Sequence, residues 1–315
     1  MPPSPEATAP ELSVVVPVYR NEDTLRELLD RLEAALAGES FELVLVVDGS
    51  PDRSLELLRE ELKRRPALVV VALTRNFGQH AALCAGFLQA RGRVALILDA
   101  DLQQRPEDLP RFVARWREGY DFVSGRRIVR RDPWVRRFAS FWLNLIARWR
   151  TGVKLADWGC PIAAVDREIL DRIPAEGEKR RFLKPLVAQL SRRWVEVEVE
   201  GDGRDGESSY SFLALVGVAL DFVVSFANRP FLKLAGLGFL GLAGSVAAGL
   251  VYLGLRLGGA IEPIPAVQVT VVLGALLGVQ ILVLGALGEF THRIYRLVQG
   301  SPFFEVQATH AHGEG

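Results

Sequence analysis

A chain of 315 residues with 38 Lys and Arg against 38 Asp and Glu has room for one domain of about 200 residues plus an appendage. No nucleic-acid partner is expected. Its two cysteines, Cys84 and Cys160, are too few for a disulfide framework and fit a reducing, cytosolic setting.

The neutral total averages two unlike parts. Charges are dense from Glu11 to Arg204 and absent over 235–255 and 264–288. Residues 1–10 are rich in Pro and Ala without the apolar core of a signal peptide, and are expected to be a short disordered lead.

Leu12–Val18 is an apolar, β-branched run that reads as a buried strand. Asn21 is expected to cap a helix whose leucines 25, 28, 29, 32 and 36 keep a period near 3.6. Strand Phe41–Val47 ends in Asp48-Gly49-Ser50-Pro51-Asp52, and a helix from Ser54 to Arg64 follows. Strand Ala67–Leu73, the loop Arg75-Asn76-Phe77-Gly78, helix Gln79–Ala90 and strand Arg93–Leu98 come next. Asp99-Ala100-Asp101 closes that strand, Pro106 opens a helix to Glu118, and Tyr120–Gly125 is a fifth strand. Repeated strand-then-helix units predict an α/β fold with a mostly parallel sheet and helices on both faces. Ligands then bind beyond the carboxyl ends of the strands, where Asp48, Arg75, Asp99 and Asp101 stand.

Arg126, Arg127, Arg130, Arg131, Arg136 and Arg137 form a basic stretch that leads into an amphipathic helix ending near Arg150. Val195–Val199 alternates Val and Glu as an edge strand does, and 201–210 is a polar loop. The apolar segment 211–229, interrupted by Asp221, is expected to lie along a membrane interface. The two charge-free segments are long enough to cross a bilayer core of about 30 Å. Only Arg256–Pro263 separates them, so they predict a hairpin, with a pair of buried core helices as the alternative. Arg229 and Lys233 before it, and His292, Arg293 and Arg296 after it, place both outer ends and the large domain in the cytoplasm. The expected organisation is a catalytic domain over 11–210, an interfacial helix over 211–229, membrane helices over 230–257 and 264–290, and a cytoplasmic tail over 291–315.

Two carboxylates spaced as Asp99 and Asp101 on a strand-end turn can face one divalent cation, Mg²⁺ or Mn²⁺, bridging a diphosphate, with Gln103 as a further oxygen ligand. Two solvated loop acids are the alternative reading. Asp48 can accept hydrogen bonds from a nucleoside, or serve as a turn residue. No glycine-rich phosphate loop of the dinucleotide or P-loop kind is present, which counts against a dehydrogenase or a kinase. Arg127 and Arg130 suit a lipid phosphate or anionic head groups. Asp157, in the turn Asp157-Trp158-Gly159-Cys160, can orient or deprotonate an acceptor.

Together Val16-Pro17-Val18-Tyr19 with Asn21-Glu22, Asp48-Gly49-Ser50-Pro51-Asp52, Arg75-Asn76-Phe77-Gly78-Gln79-His80 and Asp99-Ala100-Asp101-Leu102-Gln103 resemble family 2 glycosyltransferases. Thr151-Gly152, Asp157 to Cys160, Gly206-Glu207-Ser208, Tyr210-Ser211 and Gly288-Glu289 with Arg293-Ile294-Tyr295 resemble the polyprenyl-phosphate branch of that family. The resemblance implies a GT-A, Rossmann-like fold and inverting transfer from a nucleotide sugar, UDP-linked by preference, to a polyprenyl phosphate such as undecaprenyl phosphate. It implies Mg²⁺ or Mn²⁺ on Asp99, Asp101 and Gln103, and a nucleotide pocket of Pro17, Tyr19, Glu22, Asp48, Arg75 and Asp99. Asp101 and Asp157 would be catalytic, Arg127, Arg130 and Arg204 would meet the acceptor phosphate, and the chain would assemble as a homo-oligomer, a tetramer in bacterial relatives. Val47, Ala163 and Ser209 depart from the family's usual acid, arginine and lysine. A nucleotide-sugar-binding protein without turnover is the competing reading. A processive polysaccharide synthase is disfavoured because Gln189 and Trp194 stand one residue too far apart for its Gln-x-x-Arg-Trp motif.

Overall fold

The computed structural model describes residues 9–128, 152–174, 180, 182–200, 230–298 and 303–312. The first of its two units is a mixed sheet covered by helices. It runs β1 (Leu12–Val18), α1 (Leu25–Ala35), β2 (Phe41–Val47), α2 (Ser54–Glu61), β3 (Leu68–Leu73), α3 (Gln79–Gln89) and β4 (Val94–Ile97). A 3₁₀ turn at Pro106–Asp108 leads into α4 (Leu109–Arg117), β5 (Phe122–Arg127), β6 (Ala163–Asp166), the single-turn α5 (Arg167–Leu170), α6 (Leu183–Leu190) and β7 (Trp194–Val199). The strand order is β7-β5-β6-β4-β1-β2-β3-β8, where β8 is Val306–Ala311. Strands β4, β1, β2 and β3 are mutually parallel, β5 pairs parallel with β7, and β6 and β8 run antiparallel to their neighbours. The expected α/β architecture is the observed one.

Central strands buried on both faces must be apolar throughout, and β1 is. Val14 and Val16 join the core beneath α1, whose Leu25, Leu28, Leu29 and Leu32 form one buried stripe. Val15 and Val46 point to the other face, against α3. That helix lies close because Gly86 has no side chain; a Cβ there would sit 2.4 Å from Val15 Cγ1.

Pro17 is admitted to a central strand by its position. Val18 O accepts from Asp48 N and Val15 O from Leu98 N, so alternate residues of β1 address β2 and β4. Pro17 addresses the β4 side beyond Ile97, the last residue of β4, where its missing N–H costs no ladder bond.

Two local expectations change. Helix α1 starts after Thr24, and the Asn21 side chain accepts from Tyr19 N at 3.1 Å instead of capping it. Residues 306–311, read as part of a tail, form β8 on the outer side of β3 and cover an edge that would otherwise stay unpaired. The lead over 1–8, the basic stretch beyond Ile128, the 201–210 loop and the interfacial segment 211–229 lie outside the described residues.

The second unit contains α7 (Pro230–Leu257) and α8 (Pro265–Val298). Each has 27 residues long and apolar enough to cross a membrane, and only 11% of the most apolar window is buried within the protein. Core helices of a soluble protein would be mostly buried, so the alternative of buried core helices is set aside. Glycines bring the two helices into backbone contact. A Cβ on Gly238 would lie 2.3 Å from Leu282 N, one on Gly278 2.6 Å from Leu242 N, and one on Gly285 2.4 Å from Ala235 N. In hydrocarbon such close approach replaces the hydrophobic effect as the source of helix association.

Gly278→Val should therefore force the helices apart. Its thermal midpoint in detergent should fall by several degrees, on the order of 1–3 kcal/mol of lost packing, whereas Gly254→Val, at a position with open space around it, should change little in the same melting experiment.

Candidate active site

Parallel strands deliver their carboxyl ends to one edge, and here the loops after β1, β2, β3 and β4 bond to one another there. The loop after β1 meets the loop after β2 through Arg20 N to Ser50 Oγ (2.8 Å), Glu22 N to Asp52 Oδ2 (3.2 Å) and Arg53 N to Glu22 Oε2 (2.8 Å). Asp48, only 3% exposed, ends β2 and accepts from Phe77 N at 2.7 Å and Gly78 N at 2.8 Å. Gly49 has φ +58°, and a Cβ on it would sit 2.4 Å from Arg75 C and Asn76 N, so glycine alone fits between these loops. Thr24 Oγ1 donates to Ala100 O at 2.7 Å, and Gln79 Nε2 to Asp99 Oδ1 at 2.6 Å, which closes the ring onto the acidic turn.

Strand order reverses between β1 and β4, the switch point at which α/β sheets open a binding crevice. Tyr19, exposed at 41%, and the half-buried Pro17 and Glu22 stand on one side of it. Asp99, Asp101 and Gln103 stand on the other. Arg75 lies 4.2 Å over the Phe77 ring at the rim. The expected nucleotide-pocket residues thus share one sheet edge, though the Asp48 carboxylate is engaged by loop amides.

Burial and the like charge of Asp101 push the Asp99 carboxyl up to about 7, against a smaller opposing effect of the Gln79 hydrogen bond. Asp101 Oδ1 accepts from Gln103 N at 3.0 Å, and Leu102 between them holds φ +59°, a strained conformation for a residue with a side chain. Asp99 and Asp101 are two crowded hard oxygen donors whose mutual repulsion a divalent cation would relieve, so they fit Mg²⁺ or Mn²⁺.

The same edge carries a second cluster. Strand β5 runs parallel to β4 and ends at Arg127; β6 runs the other way, so the turn preceding it comes to that edge too. Asp157, 1% exposed, grips Arg127 from two sides: Nε donates to Oδ2 at 2.8 Å and Nη2 to Oδ1 at 3.1 Å. Gly159 N donates to Asp157 Oδ1 at 3.0 Å, and a Cβ on Gly159 would crowd Arg127 Nη2 at 3.0 Å. The acid expected at the acceptor and the arginine expected at the acceptor phosphate are therefore one ion pair. Arg130 and Arg204 lie outside the described residues, and Ala163, standing where an arginine is usual, is buried in β6.

Three residues of the site escaped the sequence reading. Gln79 steadies Asp99. Glu196 of β7 accepts from Ala156 N and Asp157 N, and its place in the Val/Glu alternation was the available signal. Lys184 donates to Asp157 O and Cys160 O, and its signal was a single charge inside Phe182-Leu183-Lys184-Pro185-Leu186.

A mostly parallel sheet with an acidic turn at its switch point defines a doubly wound α/β protein whose ligand site lies beyond the carboxyl ends of the strands. Residues 13–173 match glycosyl transferase family 2, and the chain belongs to that family. It is 42% identical over 303 residues, covering 94% of this chain and 89% of the relative, to the undecaprenyl-phosphate 4-deoxy-4-formamido-L-arabinose transferase of Pseudomonas paraeruginosa. The protein of the same name from Proteus mirabilis is 37% identical, with 94% of this chain and 93% of the relative covered. Among solved structures, glucosyl-3-phosphoglycerate synthase from Mycobacterium tuberculosis aligns with a TM-score of 0.50 at 18% identity, over 69% of this chain and 80% of that one. That likeness is one of fold, the GT-A arrangement.

The raised carboxyl gives a stability signature. Between 3.8 and about 7 the folded chain keeps a proton on Asp99 that the unfolded chain has released. The stability so gained is complete below 3.8 and lost as pH climbs to about 7. Melting the metal-free protein across that range should show a decline from this group, flattened in Asp99→Asn.

Proposed function

We propose that this glycosyltransferase moves a sugar from a nucleotide-linked donor, UDP-linked by preference, to the phosphate of a polyprenyl lipid, with inversion at the anomeric carbon. The observation that carries the reading is the placement of two opposite poles on one sheet edge, the acidic turn Asp99–Gln103 and the Arg127–Asp157 pair, in a chain with two membrane-length helices. The names of relatives that match over 94% of the chain support undecaprenyl phosphate as the acceptor.

The donor's nucleoside would lie against Pro17, Tyr19 and Glu22, with Arg75 at the rim. Asp48 contributes by shaping the loop at Phe77 and Gly78. Asp99, Asp101 and Gln103 would hold Mg²⁺ or Mn²⁺, which supplies charge neutralisation at a departing nucleoside diphosphate. An acceptor phosphate is already anionic at pH 7, so its oxygen can form the new bond to the anomeric carbon while the bond to the diphosphate oxygen breaks. No proton has to be removed. Of the two roles open to Asp157, orienting fits the geometry: its carboxylate aims the Arg127 guanidinium, and Arg127 meets the acceptor phosphate. The basic residues that flank the two apolar helices would keep the large domain on the cytoplasmic side of the membrane.

The test uses the full chain in detergent with undecaprenyl phosphate, Mg²⁺ or Mn²⁺ and a panel of labelled UDP-, GDP- and dTDP-sugars. One donor should give a labelled lipid, and Asp99→Ala should cut turnover by about 100-fold or more. Nucleotide binding with no transfer from any donor would sink the reading in favour of a nucleotide-sugar-binding protein. Arg127→Lys keeps the charge but loses the two-pronged grip, and should raise the acceptor KM severalfold with the donor KM nearly unchanged in steady-state kinetics.

A further inference from the structure

Lys184, second residue of α6, is half-buried, and its Nζ donates to Asp157 O at 2.7 Å and to Cys160 O at 2.8 Å. These carbonyls bracket the turn that carries Asp157 and Gly159. The turn is held from the opposite side by Glu196, which accepts from Ala156 N at 2.9 Å and Asp157 N at 3.2 Å. A cation on the carbonyl face and a carboxylate on the amide face leave the Asp157 peptide little freedom to rotate. Its side chain is then presented to Arg127 Nε and Nη2 in one orientation. Packing alone does not call for a lysine: an apolar residue of similar volume fills space without the cost of dehydrating an ammonium.

We infer that Lys184 is a positioning residue that, by clamping the carbonyls of Asp157 and Cys160, fixes the carboxylate that aims Arg127 at the acceptor phosphate. The last step of that chain rests on the polyprenyl-phosphate reading above; the clamp itself does not.

The clamp is sensitive to alkali. Burial lowers the Lys184 ammonium to about 8, while Cys160, Asp157 and Glu196 favour its charge and Arg127 opposes it. Among the described residues these charged and titratable groups face it from β5, the turn before β6, and β7. Burial also raises the Cys160 thiol, against the opposing pull of Lys184 and Arg127. Losing the Lys184 proton turns two charge-assisted hydrogen bonds into neutral ones, each roughly half as strong.

The experiment compares the full wild-type chain with Lys184→Met and Lys184→Gln in detergent. Hydrogen–deuterium exchange over residues 156–160 should rise about tenfold in Lys184→Met at one fixed pH and less in Lys184→Gln, whose amide still donates. In the transfer assay Lys184→Met should raise the acceptor KM about tenfold with the donor KM little changed. The wild type should show an alkaline loss of acceptor kcat/KM near pH 8, absent from both variants. Unchanged exchange over 156–160 would overturn the clamp whatever the turnover. Altered exchange with donor and acceptor constants falling together, and the alkaline limb kept, would overturn its role in acceptor recognition. If exchange responds as expected but the wild type makes no lipid product, the clamp stands and the polyprenyl-phosphate reading fails.

Discussion

Parallel pairing of β4, β1, β2 and β3 is the constraint on which the rest depends. It sends four loops to one edge of the sheet, where their backbone amides and carbonyls leave the ladder and still require partners. The chain meets that need by bonding loop to loop. Asp48 serves the amides after β3, Ser50 and Asp52 serve the amides after β1, and Thr24 serves a carbonyl after β4. At the switch point β4 stops at Ile97 while β1 continues through Pro17 to Val18, so the two strands part where the loops begin. The shape of that edge is therefore decided by loops that determine one another.

The two charged clusters on that edge obey opposite rules. At Asp99 and Asp101 like charges are crowded, and the cost appears as a carboxyl held far above its usual range. Such a site is poised for an incoming cation. At Arg127, Asp157, Lys184 and Glu196 two cations and two carboxylates interlock through hydrogen bonds that use main-chain groups as well as side chains. Such a site is poised for orientation. On the polyprenyl-phosphate reading proposed above, the acceptor is already an anion and the enzyme would use both, to relieve charge at the leaving side and to align it at the attacking side.

The helical unit follows different physics. Its apolar side chains face outward, as membrane segments do, so the helices cannot rely on the hydrophobic effect to find each other. Glycines at 238, 278 and 285 instead let backbone touch backbone. The chain then returns from α8 to give β8 to the sheet, and the edge of β3 is closed by residues more than 230 positions away.

Local pattern determined much of this molecule. Apolar β-branched runs fixed the strands from Leu12–Val18 to Val94–Ile97, helical spacing fixed α1, and charge-free length marked the two apolar helices, because burial on both faces, burial of one stripe and burial in lipid each impose a distinct periodicity. The acidic turn and the Asp157 turn were legible as well, since short motifs keep their geometry at strand ends. What the tertiary structure alone decided are pairings across distance. These include the union of Arg127 with Asp157, the engagement of Asp48 by loop amides, the clamp of Lys184 on a turn 24 residues earlier, and the docking of β8. A residue's partners there depend on strand order and direction, and a one-dimensional pattern carries the period of each element but not which elements become neighbours.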